Sequence, residues 1–208
     1  MYKNLAAALA AACFSLSPFF PASFAQAQTP AKSPVPSTPV KAAFVYVSPI
    51  ADAGWTHQHA AGRKEMMTAL GDKAVQSTFV ENVAEGADSE RVIRDLAKSG
   101  NDIIFTPSFG YMEPTMRVAK EFPNVKFESI TGYKRADNVS TANARYYEGR
   151  YLSGIIAGRM SKTGVAGFVA GFPIPEVMQG INAFTLGMRS VNPKAVVKVI
   201  WLDVCFDP

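Results

Sequence analysis

Residues with the chemistry for ligand binding occur in short loops that follow apolar runs typical of strands. The first loop, SPIADAGWTH, contains Asp52, Gly54 and Trp55, and an indole offers a flat apolar face with one N–H donor. A later loop, PSFGY, brings Phe109 and Tyr111 beside a glycine that lets the backbone approach a ligand closely. These rings could line an aromatic slot, although packing of Trp55 against the start of a helix is an equally open interpretation.

Polar candidates occur in other segments that follow strands. Glu85 stands in NVAEGAD, where an ordinary solvated turn that leads into a helix is the favoured interpretation. Arg145 and Glu148 fall in NARYYEGR, a stretch of charged and aromatic residues that is typical of a hinge. Glu176 follows two prolines in PIPE, where it could bind a ligand or only place negative charge in the first turn of a helix.

Catalytic and cofactor signatures are missing from the sequence. His57 and His59 are two residues apart, which is not the i, i+4 spacing of a helical zinc site. There is no G-x-S-x-G elbow, no phosphate-binding loop and no cysteine cluster. The glycines of 167–171 lie on a predicted strand and do not open a helix as a dinucleotide fingerprint requires. We therefore expect no catalytic residue, metal or cofactor, while hydrolysis by paired carboxylates stays open as the alternative.

The elements that must position these loops alternate between strand and helix periods. Strands are predicted over 42–48, 75–81, 102–106, 125–131, 164–170 and 195–202. Helices are predicted over 57–70, from a cap at Asp88 or Ser89 to Gly100, and over 114–123, 147–160 and 175–191. This alternation indicates an α/β fold with a mostly parallel sheet covered on both faces. Ligands of such sheets bind outside the carboxyl ends of the strands, where the candidate loops lie.

Composition and the first 40 residues indicate an exported protein. The chain has 208 residues, 48% hydrophobic, and its 21 basic residues are interleaved with 17 acidic ones, so no nucleic-acid partner is predicted. Residues 1–27 read as a signal peptide, with Lys3, a short apolar run and an AQA cleavage site; lipidation of Cys13 is the less favoured alternative. Residues 28–40 carry four prolines and predict an extended tether, so that folding begins at Lys41. A periplasmic location follows, with Cys205 as the only cysteine left after cleavage.

Three segments carry a family resemblance: SPIADAGWTHQHAAGRKEM, FVENVAEGADSERVIRDLA and the stretch from NARYYEGRYLSG to VVKVIWL. From about Lys41 onward the chain resembles the basic membrane protein (BMP) family of ABC-transporter substrate-binding proteins. The resemblance implies a type I periplasmic-binding fold with one doubly wound lobe over 41–143 and a hinge and second lobe over 144–208. It also implies a purine base or nucleoside as ligand and a membrane permease as partner.

The resemblance places the family's stacking aromatic on Trp55 and its neighbouring acidic position on Asp52. A purine has a large π-face with edge donors and acceptors, so the remaining candidate side chains could complete the site. Two lobes of about 130 to 150 residues each would need a longer chain than this one. The second lobe is therefore expected to be incomplete, with an unpaired strand edge and weak or absent ligand affinity. Its apolar surface should be exposed near Val196, Val197, Val199, Ile200 and Trp201.

Overall fold

The computed structural model describes residues 38–204, in which strands and helices alternate. The strands are β1 (Val40–Val45), β2 (Val75–Val80), β3 (Ile103–Pro107), β4 (Lys126–Ile130), β5 (Val139–Ala142), β6 (Val165–Ala170) and β7 (Val196–Trp201). The helices are α1 (Trp55–Leu70), α2 (Ala87–Lys98), α3 (Met112–Glu121), α4 (Tyr146–Met160) and α5 (Pro175–Val191). The predicted α/β class is confirmed. Within this region no helix is long and apolar enough to cross a bilayer.

Strands β1 to β5 form one sheet in the order β2-β1-β3-β4-β5, with every pair parallel. The chain leaves β1 toward β2 on one side and then returns to β3 on the other. The carboxyl ends of β1 and β3 therefore flank a topological switch point, the place where ligands bind in open α/β sheets.

Both faces of this sheet are buried, as a doubly wound fold requires. On one face Val45 and Ile104 join a core that includes Ile93 of α2 and Val118 of α3. On the other face Phe44 lies in a second buried cluster with α1, and its ring stacks on Phe105 at 4.5 Å. Alternate residues of β1 thus pack into opposite cores, which explains why the sequence of the strand is continuously apolar.

Three local predictions differ from the structure. Val40 was expected to end the tether but begins β1, because its N–H donates to the carbonyl of Ala74 at the start of the pairing with β2. Neither Asp88 nor Ser89 caps α2, which begins one residue after Gly86; Gly86 has φ 93° and accepts a hydrogen bond from the Ser89 hydroxyl inside the first turn. Strand β5 was not predicted, because four residues, VSTA, carry too weak a pattern.

The second lobe is built on an unusually close contact between α4 and α5. A Cβ at Gly187 would fall 2.9 Å from the carbonyl carbon of Tyr151, and one at Gly154 would fall 2.9 Å from that of Phe184. At Gly158 it would lie 2.5 Å from the carbonyl oxygen of Met188. The two helix backbones can touch only because these positions carry no side chain.

In the described residues the second sheet consists of β6 and β7 alone, which pair in parallel. One face contacts the helices, where Phe168 packs edge-on against Phe184 at 5.5 Å. The opposite face is exposed at Val165, Val169 and Ile200, which are 41%, 63% and 60% accessible. In the part of the chain that the structure describes, the second lobe therefore has one covered and one exposed sheet face. The expected exposure holds at the last strand for Val196, Ile200 and Trp201, whereas Val197 and Val199 are half-buried because they alternate onto the other face.

Candidate functional site

Trp55 lies at the switch point of the first sheet, as the first residue of α1 after the β1 loop. Gly54, immediately before it, adopts φ 95°, a conformation that favours glycine. The indole Nε1 donates a 2.7 Å hydrogen bond to the carbonyl of Pro107, the last residue of β3. This bond fixes the plane of the ring across the switch point, and it commits the only polar donor of the indole to the protein.

The ring of Trp55 forms one wall of a cavity of about 520 Å³ between the two lobes. Two aromatic neighbours meet the indole edge-on: His59 at 4.6 Å and Tyr146 at 6.5 Å between ring centroids. Burial lowers the pKa of His59, which favours a neutral imidazole against the indole. Beyond Trp55 and Tyr146, the lining comes from α4, the end of β6 and the start of α5: Gly149, Arg150, Ser153, Phe168, Val169, Ala170, Gly171, Glu176, Val177 and Gly180.

Glu176 reaches this cavity from the first turn of α5. Its Oε2 atom is buried without a hydrogen-bond partner, and burial raises the pKa of the carboxyl group. Burial, and secondarily the charge of Glu176, raises the pKa of Tyr146. Of the sequence-predicted polar residues, Glu176 is therefore the one that the structure places in the same cavity as Trp55.

Glu85 joins the loop after β2 to the loop after β3. Its carboxylate accepts a hydrogen bond from the Ser108 hydroxyl and another, at 3.2 Å, from the backbone N–H of Gly110. A Cβ at Gly110 would lie 2.5 Å from Oε1, the carboxylate oxygen that accepts these bonds, and closer still to the carboxylate carbon and the other oxygen. The glycine is thus needed for space, and Glu85 fixes one loop against the other.

We expect Gly110→Ala to displace the Glu85 carboxylate and to lower the free energy of unfolding by roughly 1 kcal/mol, since an exposed charge-assisted contact is lost. Glu85→Ala should cost a similar amount, and the double variant should cost no more than either alone. Urea denaturation of all three variants measures this coupling. Additive losses would contradict the arrangement.

Tyr111, predicted as a ligand-binding ring, lies in the core of the first lobe. Its side chain is fully buried, and its hydroxyl donates a 2.6 Å hydrogen bond to the carbonyl of Val83. A 3-10 turn over Phe109–Tyr111 carries the chain from β3 into α3 and turns this ring inward. No face of the Tyr111 ring is open to the cavity, in contrast to the aromatic slot expected from the sequence.

Replacement of Tyr111 by Phe should lower the free energy of unfolding by about 1 to 2 kcal/mol, because it leaves the buried carbonyl of Val83 without its donor. Ligand affinity should not change. Chemical denaturation and a binding titration on the same sample separate the two effects. A variant with normal stability and weakened binding would return Tyr111 to the site.

The remaining candidates lie apart from the cavity wall. Phe109 is half-buried, with its ring centroid 6.3 Å from that of Tyr133. Asp52 is exposed in the β1 loop. Arg145 and Glu148 pair with each other at 3.1 Å on the surface, and Glu148 already belongs to α4, so the hinge-like stretch is half helical.

Sequence reasoning missed Tyr146, Arg150 and Phe168 as cavity residues. Arg150 lies over the ring of Phe168 with 5.7 Å between the guanidinium carbon and the ring centroid. The sequence signal for Tyr146 and Arg150 was the concentration of charged and aromatic residues over 143–150. The prediction placed the ligand-binding residues of this stretch in a hinge, whereas the helix that begins there provides the cavity residues. Phe168 gave no signal, because its strand pattern is that of any buried aromatic.

The sequence is similar to a known protein family and to individual proteins of that kind. A family model described as "ABC transporter substrate-binding protein PnrA-like" matches residues 39–208. A purine-binding protein of Brucella abortus (strain 2308) is 60% identical over 169 residues, which are 81% of this chain and 48% of that protein. A putative ABC transporter glucose-binding protein of Haloferax volcanii is 42% identical over 81% of this chain and 42% of its own length.

A crystal structure of an ABC transporter solute-binding protein from Aeropyrum pernix K1 superposes with a TM-score of 0.65 at 26% identity, covering 79% of this chain and 47% of that one. The chain thus spans about half the length of the relatives it matches. These matches confirm the resemblance and give the hydrolase alternative no support. The chain belongs to the Bmp family of PnrA-like ABC transporter substrate-binding proteins.

Proposed function

We propose that the protein is the extracytoplasmic substrate-binding component of an ABC importer and that it binds a purine base or nucleoside between its two lobes. The observation that carries the proposal is the ring of Trp55, held by Pro107 at the switch point and forming one wall of a cavity of about 520 Å³. That volume is within the usual range for small-molecule sites, about 300 to 1,000 Å³. Stacking of a base on an aromatic ring contributes roughly 1–3 kcal/mol.

The choice of a purine over a sugar rests on two further points. The relative with 60% identity is named for purine binding, whereas the relative named for glucose is more distant, at 42%. The cavity also offers a flat indole together with a carboxylate, a combination that suits the π-face and edge donors of a purine. A membrane permease is the partner that this role requires.

The proposal is tested by ligand-observed NMR on the purified protein with purine bases, nucleosides, glucose, other sugars and amino acids. This method also detects weak, millimolar affinities. Saturable binding of a purine, recovered unchanged by chromatography, supports the proposal. Saturable binding of glucose alone, or conversion of the nucleoside to base and sugar, contradicts it.

Export is the second part of the proposal and rests on the sequence, because residues 1–27 lie outside the described residues. We infer removal of the signal peptide after Ala27 and a periplasmic location. The predicted tether, 28–40, lies outside the described residues up to residue 37, and its last residue belongs to β1. Mass spectrometry of protein from its native host determines the mature N-terminus. A chain that keeps Met1 contradicts this inference, and a lipid on Cys13 favours an anchored form.

A further inference from the structure

Among the described side chains that line the cavity, Glu176 is the one with a buried polar atom that has no hydrogen-bond partner. That atom is Oε2. The nearby cation of Arg150 is engaged with the face of Phe168, and no ion pair joins it to Glu176 in the described region. A buried acceptor without a partner destabilises a folded protein, so its presence in a cavity indicates a partner supplied from outside.

The aromatic wall of the cavity supplies no hydrogen-bond donor to Glu176. The N–H of Trp55 donates to the carbonyl of Pro107, and the indole packs edge-on with the rings of His59 and Tyr146. A ring that stacks on Trp55 would therefore share the cavity with the unpartnered acceptor of Glu176. Its own N–H or O–H groups are the natural partners for that acceptor.

We propose that Glu176 sets the specificity of the site by accepting a hydrogen bond from an N–H or O–H donor of the bound ligand. This inference rests on the proposed function and narrows it. A purine with an exocyclic amine, or a nucleoside with free sugar hydroxyls, should bind more tightly than the same molecule without those donors. A site whose buried acceptor is left unpaired discriminates more strongly than one that merely loses apolar contact.

The test compares two pairs of ligands that differ only in donors. The first pair is 9-methyladenine and 9-methylpurine, which differ in the amine. The second pair is adenosine and 2′,3′-dideoxyadenosine, which differ in two hydroxyls. Each ligand is titrated by NMR into the wild-type protein and into Glu176→Ala and Glu176→Gln, with the exposed Glu65→Gln as the matched control for loss of a carboxylate.

We expect one pair to differ by about tenfold or more in the wild-type protein and in Glu65→Gln, and by less than twofold in Glu176→Ala. Whichever pair differs identifies the amine or the hydroxyls as the donor. Glu176→Gln, which keeps a carbonyl acceptor, should fall between. The melting temperature of the unliganded protein should stay the same or rise in both Glu176 variants, because a partly buried carboxyl group with an unpartnered oxygen is removed.

Equal donor dependence in the wild-type protein and in Glu176→Ala would overturn the role of Glu176 and leave purine binding standing. So would purine binding in which neither pair differs. Failure of every purine to bind the wild-type protein would overturn the proposed function, and with it this inference. A lower melting temperature in both Glu176 variants would show that the carboxylate has a structural partner instead.

Discussion

Gly187→Ala is expected to lower the free energy of unfolding of the second lobe by about 3 kcal/mol. The added methyl group would clash with the backbone carbonyl of Tyr151. Backbone atoms in a helix cannot rotate away from a clash as a flexible side chain can. Relief requires the axes of α4 and α5 to separate, which loosens the packing along both helices. Overpacking of a tight interior commonly costs about 1–3 kcal/mol, and a backbone contact belongs at the upper end.

Gly149→Ala is the matched control, because it also replaces a helical glycine by alanine, in α4, where no atom outside the adjoining turns of the helix lies within 4 Å of the new Cβ. It should leave stability unchanged or raise it by roughly 0.5–1 kcal/mol, since alanine is the better helix former. Urea denaturation followed by circular dichroism measures both variants. Equal midpoints for Gly187→Ala and the wild-type protein would show that the helices are not in contact at this point.

Trp55→Ala is expected to weaken purine binding at least tenfold, about 1.4 kcal/mol, because it removes the stacking face of the cavity. Trp55→Phe separates the two contributions of this residue, since it keeps a ring and loses the hydrogen bond to Pro107. Its affinity should lie between those of the wild-type protein and Trp55→Ala. Isothermal titration or NMR titration gives the three dissociation constants. Unchanged affinity in Trp55→Ala would remove this residue from the site.

The alternation of strands and helices could be predicted because each element carries a strong local signal. In β1 the continuous apolar run indicates a strand that is buried on both faces. In α2 the spacing of Val92, Ile93 and Ala97 places them on one buried side of the helix. Strand β5 could not be predicted, because an edge strand of four residues is defined by its pairing with β4 and not by its own sequence pattern. The local sequence pattern predicts whether a long segment is a strand or a helix. It says little about a short strand that is formed by pairing with its neighbour.

The site was predictable in part for the same reason. Trp55 could be found because a loop after a strand must lie at the carboxyl edge of the sheet. Tyr111 occupies a similar loop, yet a single 3-10 turn decides that its ring points inward. The proximity of Tyr146 and Glu176 to Trp55 depends on how two lobes meet across more than ninety residues of sequence, which no local pattern records.

The glycine contacts between α4 and α5 have a mechanical consequence for the cavity. Tyr146 and Arg150 lie on one of these helices and Glu176 on the other, so helices in backbone contact hold the three side chains in register. Trp55 belongs to the other lobe, and three residues, 143–145, connect β5 to α4. A change in the width of the cavity therefore alters the distances from the indole to Tyr146, Arg150 and Glu176 together.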